Sequence, residues 1–284
     1  MSTSSAIVPI HMSRDARAKW ARETINKKVP ALLAGDSLAG AGVQRTSLLQ
    51  NLQPINASVQ AGIPVIHVWN TDTLTAANTL SSRGGGSSNH VAILNMASCL
   101  RPGGGVMTGA TSQEEFLCTR TTVYPALRDS FYRLPEVSVI YTPNVLVFRN
   151  RDGEDLPKSE RHHVDVASAA MLRNPDICEK GGVQTWANEA DVELVLAKMR
   201  VLMRSLVQNG VKRAVLGAWG CGAYGNPVDE VARLWKIVLL GGKKGRKEPW
   251  PGIEEIVFAI TDVVQCSVFQ TRFEDVVTGS ATPS

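Results

Sequence analysis

No apolar run of about 18 residues, the minimum for a membrane-spanning helix, occurs in the chain. The opening segment MSTSSAIVPIHMSRD has no apolar centre of the kind a secretory leader needs. Cysteine is sparse and scattered: Cys99, Cys118, Cys178, Cys221 and Cys266 are odd in number, and none stands in C-x-x-C or Cys/His spacing. That scatter argues against structural zinc and a disulfide framework, and it fits a reducing compartment. Charge of one sign is also lacking. A net +4 helps a polyanion approach but is far from the basic footprint of a dedicated nucleic-acid binder. No internal repeat is visible. The expectation is a soluble intracellular monomer, cytoplasmic or nuclear, with no metal, no cofactor, no membrane and no sequence-specific nucleic-acid partner.

What is present is ordinary globular composition, 44% hydrophobic and 20% charged, in a 284-residue chain that can bury a sizeable core. Ser13 to Lys28 reads as a helix with Ser13 as cap, and Trp20 and Ile25 as apolar contacts. Gln44 to Gln53 reads as a short helix or loop. Ile63 to Trp69 has the β-branched density of a buried strand, and Asp72 to Leu80 follows as a capped helix. Ser81 to Asn89 (SSRGGGSSN) reads as a surface linker. Val91 to Met96 is an apolar run of strand length. Val137 to Tyr141 and Val145 to Phe148 read as short strands split by a turn at Pro143-Asn144, Arg149 to Arg161 as a charged loop, and Val164 to Ala170 as a further strand. Val192, Val195, Leu196, Met199, Leu202, Met203 and Leu206 recur at helical spacing across 187–209, with Gly210 placed to end the helix. Arg213 to Leu216 and Ile256 to Thr261 complete the strands, and Asn226 and Pro227 read as the cap and first-turn residue of a helix. Strands alternating with helices predict an α/β architecture.

Two loops carry the chemistry. In the first, Gly103, Gly104 and Gly105 follow a buried strand and lead to Gln113-Glu114-Glu115. Adjacent glycines let backbone approach a ligand, with N–H groups free to meet phosphate or sugar oxygens. Adjacent carboxylates behind them suit one group that holds sugar hydroxyls and one that moves a proton. Ser112-Gln113-Glu114-Glu115 is equally a capping box, S-x-x-E, in which Glu115 would only bond the cap's backbone. The residues alone leave both readings open. The second loop, GAWGCGAYGN (217–226), joins a strand to a helix start, where unpaired N–H groups and the helix dipole favour an anion. Gly220, Gly222 and Gly225 spell GxGxxG, but the following strand ends near Asp262, too far on for a dinucleotide fold. Diphosphate binding survives that objection; nicotinamide chemistry does not.

Together the loops resemble the poly(ADP-ribose) glycohydrolases of the compact microbial type also found in fungi, whose signature is GGG, six to eight residues, then QEE. Here it reads GGGVMTGATSQEE. ARETINKKVPALLAGD, VWNTDTLTAA, NMASCLRPGGG, YTPNVLVFRNRDG, LGAWGCGAYGN and VFAITD fall in the family's order, from about Arg14 to about Phe273. The resemblance implies a three-layer α/β/α macrodomain with a mixed central sheet and an N-terminal helical extension. It implies a single domain over 1–284, with the extension over 1–62, the core over 63–275 and a disordered tail over 276–284. It implies hydrolysis of the ribose–ribose bonds of poly(ADP-ribose), from chain ends, on poly-ADP-ribosylated proteins. Glu115 would protonate the departing 2′-oxygen and then deprotonate the water, through an oxocarbenium-like transition state, with Glu114 as its catalytic neighbour on the ribose hydroxyls. Gln113 and Asn95 would contact ligand, Asn95 at the distal ribose. Gly103, Gly104 and Gly105 would cradle the diphosphate together with Gly217, Ala218, Trp219, Gly220, Cys221, Gly222, Ala223, Tyr224 and Gly225, and Val106 and Asn226 would also contact ligand.

Three departures stand out. Tyr224 replaces the family's usual phenylalanine, VDVASAAMLRNP lacks the expected Pro-Ala-Pro-Asn run, and the glycine–serine loop looks inserted. Elsewhere plain readings prevail. His162 and His163 read as a solvated loop, Cys118 and Cys221 have no paired histidine, and Trp219, Trp235 and Phe258 read as core. Lys243, Lys244, Arg246 and Lys247 read as an exposed loop. Two other functions compete: a module that binds ADP-ribose without cutting it, and a hydrolase of single protein-linked ADP-ribose units.

Overall fold

The computed structural model describes residues 12–83, 91–241 and 248–276. Helix α1 (Arg14–Glu23) starts where the Ser13 hydroxyl accepts from the Ala16 N–H at 3.2 Å. A π-helical turn (Thr24–Lys28) leads into α2 (Val29–Gly35), and Asp36 caps α3 (Ser37–Arg45) by accepting from the Ala39 N–H at 2.9 Å. Then follow β1 (Ser47–Gln50), β2 (Val65–Trp69), α4 (Thr73–Arg83), β3 (Val91–Met96), α5 (Gln113–Arg120), β4 (Ser138–Val147) and β5 (His162–Ala169). The chain continues through β6 (Ile177–Lys180), β7 (Val183–Trp186), α6 (Glu189–Gln208), β8 (Arg213–Leu216), α7 (Val228–Leu240), β9 (Glu255–Ala259) and α8 (Val263–Phe273).

The central sheet has the order β1-β4-β5-β3-β8-β9-β2. From β5 to β2 all neighbours are parallel, whereas β4 pairs antiparallel with both β5 and β1. The sheet is therefore mixed, and its parallel part is covered on both faces. Alternation along β3 divides the core: Ala92 and Leu94 pack with α6, α7 and α8, while Val91 and Ile93 pack with α1, α4 and α5. This is the three-layer arrangement the sequence resemblance implies. Phe258 and Trp235 are fully buried, with the Phe258 ring 5.1 Å from Phe273 and 5.2 Å from Phe269, so their core reading holds. No helix among the described residues is long and apolar enough to cross a membrane.

Several sequence expectations change. The segment expected as a helical extension also supplies an edge strand: Ser47 to Gln50 pairs with β4 rather than forming a helix or loop. The strands expected on either side of Pro143-Asn144 are one strand with a register shift between Thr142 and Val145. Asn144 sits there at φ 55° and its N–H donates to Asp165 Oδ1 at 2.8 Å, which keeps the irregularity satisfied. The hairpin of β6 and β7 was not anticipated; Gly181 and Gly182, at φ 60° and 79°, form its turn. Ser81 to Arg83 end α4 rather than belonging to a linker. The rest of that glycine–serine loop, the basic loop 243–247, the opening segment 1–11 and the tail 277–284 lie outside the described residues.

Candidate active site

A cleft of about 740 Å³ opens at the carboxyl ends of the parallel strands. Segments after β2 (Thr71 to Thr73), β3 (Met96 to Ser98), β5 (Met171, Arg173), β8 (Ala218 to Gly220) and β9 (Ile260 to Asp262) all reach it. That is where open α/β sheets place ligands, because the loops diverge there and helix amino ends converge.

The first glycine loop closes over the amino end of α5. Gly103 and Gly104 take left-handed backbone, at φ 64° and 54°. A Cβ on Gly104 would lie 2.8 Å from Glu115 Oε1 and 2.9 Å from Glu114 Oε2, so backbone and both carboxylates meet where no side chain fits. The Gly105 N–H donates to Glu115 Oε1 at 2.7 Å, and Glu115 Oε2 has no hydrogen-bond partner. This decides the question the sequence left open. Ser112 stands at the N-cap but makes no side-chain cap bond, and the Glu115 carboxylate reaches the glycine loop instead.

Glu114 is 2% exposed. Its Oε2 accepts from the Ser98 N–H at 2.7 Å and its Oε1 from Asn95 Nδ2 at 3.5 Å. Burial, together with the neighbouring Glu115 charge, pushes its pKa up to about 8 against the opposing pull of the Ser98 N–H. Near neutrality it is a carboxylic acid that can both donate and accept. Burial, followed by the two glutamates, raises the Cys118 thiol, and burial raises Cys221; neither is set up as a thiolate nucleophile.

The expected ligand residues divide. Gly104, Gly105, Gln113, Glu114, Glu115, Ala218, Trp219, Gly220, Gly222, Ala223 and Tyr224 line the cleft; Asn95, Gly103, Val106, Gly217, Cys221, Gly225 and Asn226 do not. Asn95 is fully buried behind Glu114, its Nδ2 donating also to Ser168 Oγ at 3.0 Å. Gln113 lines the cleft, yet its amide is spent on pinning α5: Oε1 accepts from the Met96 N–H at 2.8 Å, and Nε2 donates to the Leu94 carbonyl at 2.7 Å. Asn226 does not cap α7, whose N-cap is Pro227. Its Nδ2 instead donates to the Leu172 carbonyl at 2.7 Å and the Gly220 carbonyl at 3.1 Å, and its Oδ1 accepts from Trp186 Nε1 at 3.2 Å. Gly220 is a packing glycine, since a Cβ there would meet Met171 at 2.6 Å, whereas Gly222 has nothing within 4 Å and lies open. The Trp219 side chain is 1% exposed, as a core residue would be. His162 and His163 make no cluster: the former lies against the Glu160 carbonyl and the latter against Asp36 Oδ2, at 3.2 and 3.0 Å.

Sequence reasoning missed a buried ion pair on the cleft wall. Arg120 Nη1, from the last turn of α5, lies 2.8 Å from Asp72 Oδ1, which also caps α4 through the Leu74 and Thr75 N–H groups. Burial raises the Asp72 pKa, but Arg120 and Thr75 outweigh it and the net shift is downward. Asp72 was legible as a cap; its partner, 48 residues on, was not.

Residues 22–150 match the family model of the microbial-type PARG catalytic domain. Over these residues the chain is similar to that catalytic domain. That match contains the glycine loop and both glutamates; the second loop falls beyond it. The crystal structure of poly(ADP-ribose) glycohydrolase (PARG) from Thermomonospora curvata aligns at TM-score 0.71 and 26% identity, over 91% of this chain and 100% of that one. The same enzyme bound to the inhibitor ADP-HPD aligns at TM-score 0.69 and 26% identity over the same shares. Deinococcus radiodurans PARG in complex with ADP-ribose, at 23% identity and TM-score 0.66 over 84% of this chain and 98% of that one, shares the fold. No curated protein matches the sequence. The cleft between the two glycine loops is thus the part of the molecule to read chemically.

Proposed function

We propose that the protein hydrolyses the O-glycosidic ribose–ribose bonds of poly(ADP-ribose) and releases ADP-ribose, with Glu115 as general acid and base. The observation that carries this is the Glu115 carboxylate, held by the Gly105 N–H through one oxygen and left without a partner at the other, on the wall of the cleft. Protonated Glu115 gives its proton to the departing 2′-oxygen as the anomeric C–O bond breaks, and positive charge develops on the sugar ring. The same carboxylate then takes a proton from the water that attacks the anomeric carbon, restoring the acid and completing ADP-ribose. Paired-carboxylate inverting enzymes set their acids about 6.5–9.5 Å apart on opposite faces of the sugar. Here oxygens of both glutamates lie against the same point on Gly104, so the two acids share one face, which supports a single group in both roles. Glu114, neutral below about pH 8, suits hydrogen bonding to adjacent ribose hydroxyls as donor and acceptor. The open backbone at Gly222 and Ala223 suits the diphosphate.

Action from chain ends on poly-ADP-ribosylated proteins belongs to the same proposal, and it requires ADP-ribose rather than short oligomers as the first product. The test is incubation of the protein and its Glu115→Gln variant with poly(ADP-ribose), followed by chromatography. Loss of a general acid–base group should lower turnover about 100-fold or more, with ADP-ribose affinity changed only a few fold. Equal release by both proteins would remove Glu115 from the mechanism. Tight ADP-ribose binding with no release from wild type would leave a binding module instead.

A further inference from the structure

Two exposed arginines at the rim of the cleft, Arg101 and Arg173, are not ion-paired among the described residues. The fold brings them to one end of it. Arg101 follows the turn in which the Cys99 N–H donates to Tyr224 Oη at 3.3 Å, and its own Nε donates to the Gly104 carbonyl at 2.8 Å, beside the carboxylates. Arg173 precedes Asn174, whose N–H donates to the Tyr224 carbonyl at 2.9 Å. Tyr224 therefore ties both segments, one through its hydroxyl and one through its backbone. The turn that Tyr224 holds at Cys99 is the one that Glu114 holds at Ser98, so this is the glutamate end of the cleft.

In the reaction proposed above, the departing 2′-oxygen belongs to the adenosine ribose of the next polymer unit, and that ribose carries its own 5′-diphosphate. A dianion thus lies one sugar beyond the reacting bond, outside the space taken by the terminal unit. Guanidinium groups present planar donor pairs that match phosphate oxygens. We propose that Arg101 and Arg173 form a subsite for the diphosphate of this second, leaving-side unit, and so set a preference for polymer over a single attached ADP-ribose. A single unit has no such diphosphate and gains nothing from the subsite. The inference rests on the glycohydrolase reading.

Steady-state release of ADP-ribose from poly(ADP-ribose) is measured for wild type, Arg173→Ala and Arg173→Lys, with free ADP-ribose as competing inhibitor. Arg173 carries the test because Arg101 also supports the glycine loop. Removing one phosphate-binding guanidinium should raise KM for polymer about tenfold, leave the inhibition constant of ADP-ribose unchanged and flatten the salt dependence of KM. Lysine should recover part of the loss. A parallel rise in KM and in the inhibition constant would place Arg173 on the terminal unit's own diphosphate and overturn the subsite. No change in either would reduce it to a solvated rim charge. Absence of release by wild type would instead defeat the glycohydrolase reading, and the subsite with it.

Discussion

Gly104→Ala is the substitution whose consequence follows most directly from the geometry. The backbone there is left-handed, φ 54°, which costs a residue with a Cβ about 1–2 kcal/mol. The added carbon would also lie 2.8 and 2.9 Å from carboxylate oxygens of Glu115 and Glu114. Neither oxygen is a free end that can swing aside, because the Gly105 and Ser98 N–H groups each hold one at 2.7 Å. Displacing either weakens a hydrogen bond to a buried carboxyl group, about 1–3 kcal/mol. The expected total is a loss of about 2–5 kcal/mol in unfolding free energy and, because the carboxylate of the proposed acid moves, about 100-fold or more in ADP-ribose release. Two companions separate the causes. Gly181→Ala has the same backbone demand, φ 60°, with nothing within 4 Å of the added carbon, and should show the backbone cost alone. Gly222→Ala has neither demand and should leave stability within about 0.5 kcal/mol. Urea unfolding and polymer hydrolysis are read on all three. If Gly104→Ala loses no more stability than Gly181→Ala and keeps its activity, the contact between loop and carboxylates is not what the geometry says it is.

Glu114 has a folded-state pKa of about 8, above its ordinary 4.5, so the folded protein holds a proton there that the unfolded chain has released. Its contribution is fully present below about pH 4.5 and is lost as pH rises through about 8, so urea midpoints should fall across that range in wild type and less steeply in Glu114→Gln. Arg120→Ala leaves the Asp72 carboxylate buried without its partner and should cost about 3–5 kcal/mol in urea unfolding; a loss below about 1 kcal/mol would mean that water replaces the guanidinium.

The parts of the fold that could be read were those whose physics is local. Val91 to Met96 forms a strand because a short β-branched and aliphatic run buried on both faces has no cheaper alternative. Gly210 ends α6 at φ 67° because it stands just after the C-cap Asn209, where left-handed backbone turns the chain out of the helix. Strand β1 was not readable, since Ser47 to Gln50 is short and its pairing with 138–141 is decided some 90 residues away. The β6–β7 hairpin was hidden by polar residues on both strands, although its Gly-Gly turn was in plain sight. The site divides in the same way. The glutamates and glycines show in the sequence because the close approach of loop backbone to two carboxylates needs those residue types within a short stretch of chain. Gln113, Asn95 and Asn226 look like ligand groups until their amides are seen to be bonded to the Met96 N–H, Ser168 Oγ and Trp186 Nε1. Arg173 reaches the rim only because β5 lies beside β3, which sheet order alone determines.

That internal bonding explains how one short helix can present two acids in different surroundings. Glu114 and Glu115 occupy the first turn of α5, where the helix dipole favours negative charge. Gln113 fixes that turn to β3 through bonds at 2.7 and 2.8 Å, so the glutamates cannot rotate away from the cleft. Their surroundings then separate them: Glu114 is buried against the 97–99 turn and kept neutral to about pH 8, while Glu115 keeps one oxygen unpartnered. Two ionised carboxylates side by side would repel each other and bind a sugar hydroxyl only as acceptors. With Glu114 held neutral, the pair offers a donor as well as acceptors, which is what the proposed contact with ribose hydroxyls requires. The Ser98 turn that buries Glu114 is the same one that Tyr224 secures from the opposite loop, so the two glycine loops together set the surroundings of that acid.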